Sequence, residues 1–246
     1  QEYWVLHGTR WRDFDISFGL DYRSTKGGQS RVESDAQTLF DTMYGTQVSQ
    51  APGALNDQVN HLDAHLDIAR DHWRARLMYV NGKVGSGAGT AQALAPSSYY
   101  SLNRLLVDLT WANTNCARDW SCIAQISYFE LNQRHLTHLM LFPAGAFDNT
   151  FPDGVIGNPD YYENRWSVGW LFSYTGLPNN RWRFGMGYNY SDVYRVEEEK
   201  NFTYDPVTGA LTPVGALVDV TDDAARVWLP EANRRNAYGL LIRPSN

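Results

Sequence analysis

Cysteine is scarce in this chain of 246 residues: Cys116 and Cys122, in CARDWSC, are the two it has. With no second pair, a four-thiolate zinc site is excluded, and the spacing is compatible with a disulfide or with two free thiols. Basic residues are outnumbered, 21 Lys and Arg against 27 Asp and Glu, for a formal net charge of -6. That excludes the basic face a nucleic-acid partner requires. No apolar run approaches the roughly 18 residues of a membrane-spanning helix. The mean hydropathy of -0.45 is low, but strands of a membrane barrel alternate, so a low mean leaves that class open. The opening QEYWVLHGTRW lacks the basic-then-apolar profile of a secretion signal. GxSxG, HExxH and P-loop patterns are missing too. The sequence therefore reads as a non-enzyme, without a cofactor.

Aromatic residues are plentiful, at 14% with 9 Trp and 15 Tyr. This suits rings at a membrane interface or a carbohydrate-binding face. The main signal is period-two alternation. In DFDISFGLDYR, Phe14, Ile16, Phe18, Leu20 and Tyr22 share one face, and Asp13, Asp15, Ser17, Gly19, Asp21 and Arg23 the other. Leu62, Ala64, Leu66 and Ile68 oppose His61, Asp63, His65 and Asp67 in the same way. WRARLMYV, NRLLVDLTW, WSCIAQISYF, WSVGWLFSY and WRFGMGYNY repeat the pattern, and YWVLHGT and AYGLLI are weaker strands.

Short turns are expected around Arg10–Arg12, Arg70–His72, Ala112–Asp119 and Gly176–Asn180. Long irregular stretches are expected over Ser24–Asn60, Asn81–Leu102, Leu131–Asn164 and Asp192–Arg235. A compact soluble domain rarely carries several structureless loops beyond about 15 residues. Outer-membrane barrels do, with short periplasmic turns and long extracellular loops. The predicted fold is all-β, an antiparallel up-and-down meander of roughly eight to ten long strands in sequential order.

The two faces differ in chemistry. Asp15, Asp63, Asp67, Arg76 and Asp108 place charges at mid-strand on the second face, which suits a wet lumen. The first face is aliphatic in mid-strand. Trp11, Trp73, Trp111, Trp120, Tyr174 and Trp182 lie beside the short turns, and Tyr22, Tyr79, Tyr128 and Trp166 lie near the long loops. Two aromatic bands around an aliphatic one match the girdles of membrane barrels.

These pieces, in this order, resemble TonB-dependent receptors, the large outer-membrane transporters. The likeness runs through WRDFDISFGLDYRSTKG, SDAQTLFDTMYGTQVSQAPG, LDAHLDIARDHWRARLMYV, LFPAGAFDNTFPDGVIGNPDYYENR and WSVGWLFSYTGLPNNRWRFGMGYNYSDVY, with KNF, LVDVTD and WLPEANRRNAY after them. The resemblance implies a 22-stranded barrel with a plugged lumen. Residues 1–246 would form one partial barrel domain, without counterparts of the plug, the N-terminal TonB-contacting segment or the final strands. The ending GLLIRPSN departs from the family, as a truncation or a frameshift near Ile242 would make it. The implied function is import of a scarce nutrient, a ferric siderophore, cobalamin or a glycan, across the outer membrane of a Gram-negative bacterium. The implied partners are outer-membrane lipid, the nutrient and the TonB complex. The alternatives are a soluble carbohydrate-binding or structural β domain, and a simple porin.

In the family, ligands meet the extracellular loops. Phe142–Tyr162 offers stacking and hydrogen-bonding groups, with Phe147, Phe151 and Tyr161 as candidate ligand contacts. The other reading of this loop is that it packs on its neighbours. His61, Asp63, His65 and Asp67 share a face and read as lumen lining more readily than as a metal site. His135 and His138 in HLTH carry a weaker ligand reading. Arg74 and Arg76 are expected to pair with lumen carboxylates. Glu197–Glu199 and Asp222–Asp223 read as solvated loop charges.

Overall fold

A computed structural model describes residues 1–28, 30–89, 91–178, 180–205, 207–223, 226 and 233–245. Strand accounts for 68% of it and helix for 6%, so the all-β class holds. In chain order the elements are β1 (Glu2–Trp11), β2 (Phe14–Thr25), β3 (Arg31–Val32), α1 (Ala36–Tyr44), β4 (Gly53–Ala54), β5 (Val59–Arg70), β6 (Trp73–Gly85) and β7 (Tyr99–Ala117). There follow β8 (Trp120–His135), β9 (Met140–Phe142), α2 (Ala146–Asn149), β10 (Val155–Leu177), β11 (Asn180–Tyr204), β12 (Leu211–Asp219) and β13 (Asn233–Ser245).

One large antiparallel sheet holds the chain together, in the order β1-β2-β5-β6-β7-β8-β10-β11. The far edge of β11 is shared: β13 pairs with Arg181–Val193 and β12 with Glu199–Tyr204. The sheet therefore has nine lanes in sequential order, the meander that the alternation predicts.

Register decides which side chains share a face. Phe18 faces Leu66, Leu66 faces Leu77, Leu77 faces Val107, Val107 faces Tyr128, and Tyr128 faces Trp166. One residue away, Ser17 faces Asp67, then Arg76, Asp108, Ser127, Ser167 and Asn189. A slip of one residue in any ladder would mix the two sets. None occurs through these rows, so one face is continuously apolar, while the other carries the charges interspersed with apolar residues such as Met78, Leu106 and Phe129.

The connections differ from the expectation. The turn expected over Ala112–Asp119 is only Arg118 and Asp119, because β7 runs to Ala117. Cys116 and Cys122 close a disulfide across this hairpin, with Cα atoms 6.0 Å apart. The stretches read as irregular contain much regular structure. β10 begins at Val155 and β11 ends at Tyr204, so this hairpin extends well past the apolar band. Ladder hydrogen bonds need no side-chain alternation, and a Pro- or Glu-rich strand is silent in the pattern. Helix α1 lies within Ser24–Asn60. Asp35 caps it, accepting from the Thr38 N–H at 2.8 Å while the Asp35 N–H donates to Thr38 Oγ1, and Gly45 closes it at φ 72°.

The hydrophobic core lies in the loop layer. Phe151, Val155 and Phe202 are buried there against Leu141, Phe142, Phe147 and Leu211. Gly154, at φ 86°, lets the chain turn past Met140 Sδ and Phe142 O, where a Cβ would sit 2.4 and 2.7 Å away. On the sheet, Phe18, Leu66, Leu77, Val107, Leu109, Ile126, Trp170 and Met186 of the apolar face stay 36–52% exposed. Among the described residues, no helix or second sheet packs against that face.

Candidate functional site

The polar face of the sheet is built from ion pairs between neighbouring lanes. Asp108 is the most buried charge in its central rows, with a side chain 3% exposed. Arg76 donates to it through Nε at 3.0 Å and Nη2 at 2.6 Å, Thr110 Oγ1 donates at 3.1 Å, and Gln125 Nε2 donates as well. A buried carboxylate is tolerated when its lone pairs are filled in this way. Arg74 forks onto Asp67. Both arginines thus pair with polar-face carboxylates, as their alternation suggests.

His61 and His65 flank Asp63, with ring nitrogens 3.9 and 2.5 Å from its oxygens. Among the described residues, no three His, Cys, Asp or Glu side chains converge as ligands for a metal.

Phe147, Phe151 and Tyr161 do not form one surface. Phe151 is 2% exposed and belongs to the loop core. Phe147 sits in a left-handed turn with Asp148 and Asn149, at φ 54°, 56° and 60°. Its ring lies 4.7 Å from that of Phe40 and 4.9 Å from that of Phe142. Tyr161 is on β10, opposite Gln133 and Val196, and burial raises its hydroxyl pKa. Phe151 and, in part, Phe147 thus pack within the loop layer, while Tyr161 stands apart from them on β10.

The loop layer also holds a concavity of about 630 Å³, lined by His135, His138, Asn158, Asp160, Glu197–Glu199 and Asp219. His135 Nδ1 lies 2.8 Å from Asp160 Oδ1, and Asn158 Nδ2 lies 3.1 Å from His138 Nδ1. Most of its polar groups are therefore already paired with one another. Glu198 is not a solvated loop charge: it is 1% exposed and bonded to Lys200 at 2.7 Å.

Sequence reasoning missed the row Arg165–Ser191–Arg235, where Ser191 faces Arg165 on one side and Arg235 on the other. Assigning Asp192–Arg235 to a loop hid it. The signal available was the odd-numbered placing of Arg181, Arg183, Arg235 and Arg243, all opposite to the apolar set. Of the segment 228–238, residues 228–232 lie outside the described residues. No family model, curated protein or solved structure matches this chain.

Proposed function

We propose that this chain is part of a 22-stranded outer-membrane barrel of the TonB-dependent receptor type, whose whole imports a scarce nutrient. The observation that carries the reading is the uncovered apolar face. It runs across nine lanes with aromatic pairs at both ends, such as Trp73 opposite Trp111, Trp120 opposite Tyr174, and Tyr128 opposite Trp166. In water so large an exposed patch would drive association. In a bilayer it is the lipid-facing band, with its rings at the two interfaces.

Lane parity also supports a fragment. β1 and β13 are the first and ninth lanes of an antiparallel series, so they run in the same direction. Closing them on each other would make one parallel pair in an otherwise antiparallel barrel. An odd number of further strands closes it without that exception, and thirteen would make 22. The apolar face stays exposed up to both edge strands: Tyr3 on β1 is 63% exposed, and Tyr238 and Leu240 on β13 are over 70% exposed. A disulfide at Cys116–Cys122 fits an oxidising compartment. Ferric siderophore, cobalamin and glycan remain the substrate classes that the resemblance implies, with TonB coupling through a plug.

Two measurements test this reading. The chain should need detergent or lipid to stay folded and dispersed; a folded monomer in plain buffer would point instead to a soluble carbohydrate-binding or structural domain. The coding sequence upstream of Gln1 should encode a plug domain; a mature N-terminus without one would leave a simple porin.

A further inference from the structure

The polar face is not uniform in charge. Over β2, β5 and β7 its carboxylates Asp15, Asp63, Asp67 and Asp108 meet Arg10, His61 and His65, Arg74, and Arg76, while Asp21 lies opposite Asp63. Over β10, β11 and β13 the balance reverses. Among the described residues where β11 pairs with β13, Arg165, Arg181, Arg183, Arg235 and Arg243 share that face with one carboxylate, Glu163. Arg183 and Arg243 are directly opposed. Like charges directly across a ladder destabilise it. Among the described residues, Arg183, Arg235 and Arg243 have no ion-pair partner.

A hollow of about 590 Å³ lies in this basic region, lined by Glu163, Arg165, Asn189, Ser191, Val193, Arg235 and Ala237. That is within the range of small-molecule sites, about 300–1,000 Å³. Its polar groups are mostly donors. Asn189 Oδ1 already accepts from Ser167 Oγ at 2.6 Å, which leaves its amide N–H groups for the hollow. Glu163 Oε1 accepts from Arg165 Nη2 at 3.0 Å and from Ser191 Oγ at 3.3 Å, so Arg165 is already ion-paired at the rim of the hollow, and a bound anion would share it with Glu163. Arg165 and Arg235 stand one lane to either side of Ser191, roughly 10 Å apart.

We propose that this hollow binds an oxyanionic solute, carboxylate or phosphate, held between Arg165 and Arg235 with Asn189 as a further donor. A guanidinium fork matches both oxyanions in bidentate fashion. The positive patch stands out in a chain of net charge -6, and it concentrates anions at this end of the face. The proposal rests on the reading of this face as a lumen, and it narrows the nutrient class to anionic molecules or complexes.

The test uses the 246-residue chain in the detergent it needs, titrated by calorimetry with citrate, inorganic phosphate and glycerol. Citrate or phosphate should bind and glycerol should not; the tighter of the two anions identifies the oxyanion class. Arg235→Gln and Arg165→Gln should each weaken binding at least tenfold with unchanged far-UV circular dichroism. Arg235→Lys should retain part of the affinity. Arg10→Gln, on the same face at the other edge, is the control. Absence of anion binding in the parent chain, or equal weakening by Arg10→Gln, would overturn the proposal. A chain that inserts into lipid but binds neither anion would sink this proposal and leave the membrane assignment standing. A chain that binds citrate while folding in plain buffer would do the reverse.

Discussion

At the scale of single residues, neighbours along a strand have opposite surroundings. Leu66 lies on the apolar face between Phe18 and Leu77, and Asp67 lies on the polar face between Ser17 and Arg76. Leu66→Arg should cost about 2–4 kcal/mol near the bilayer midplane. Asp67→Asn should cost far less, because its partner Arg74 is itself more than half exposed. Urea unfolding from lipid vesicles measures both, and equal losses would contradict the face assignment. Acid sensitivity should arise in the loop layer. Burial pushes the Asp41 carboxyl up, but hydrogen bonds from Thr46, Gln37 and the N–H groups of Ser49 and Val48 outweigh it and hold its pKa below the ordinary 3.8. A depressed pKa in the folded state stabilises at pH above 3.8, and that stability is lost as pH falls through the folded value. Protease cleavage near α1 should therefore accelerate below pH 3.8, and Asp41→Asn should flatten the profile. An unchanged profile in that variant would show that Asp41 is not the group responsible.

At the scale of elements, the sheet and the loop layer are separate stability problems. The loop layer has a small core of its own around Phe151, Val155 and Phe202, while the sheet relies on ladders and on whatever covers its apolar face. Phe151→Ala should remove about 3–5 kcal/mol from the loop layer. Hydrogen exchange should show β9 and the start of β10 opening, with β5, β6 and β7 unchanged; loss of protection across all of these would refute the separation. This division also explains what was legible in the sequence. Strands with one lipid-like and one wet face print a period of two, so β2, β5 and the centres of β7 and β8 could be read residue by residue. β10 and β11 continue through NPDYYEN and VEEEKNF, where backbone pairing persists after the alternation stops, so their outer halves were invisible. Helix α1 was present only as its cap, Asp35 with Thr38, and as Gly45. Of the candidate site, the Arg76–Asp108 pairing was foreseeable because both residues sit on the charged face. The hollow between Arg165 and Arg235 was not, since it needs the pairing of β13 with β11 that sets Ser191 opposite Arg235; the odd-numbered placing of the arginines shows that they share a face but not which strands are neighbours.

At the scale of the whole molecule, the central claim is that the face of Phe18, Leu66, Leu77 and Val107 meets lipid and the face of Ser17, Asp67, Arg76 and Asp108 meets water. Among the described residues, the nine antiparallel lanes leave one apolar face uncovered and two edge strands unpaired on their outer side. The barrel reading assigns lipid to the first and additional strands to the second. The most direct measurement is a nitroxide scan through β5. Single cysteines would be placed at each position from 61 to 68 in a chain whose Cys116 and Cys122 are replaced by Ser, reconstituted in lipid vesicles. Collision rates with oxygen, which partitions into lipid, and with a water-soluble nickel chelate would be read at every site. Positions 62, 64, 66 and 68 should favour oxygen and positions 61, 63, 65 and 67 should favour the chelate, in strict alternation. Uniform access of the chelate to all eight positions would contradict the account.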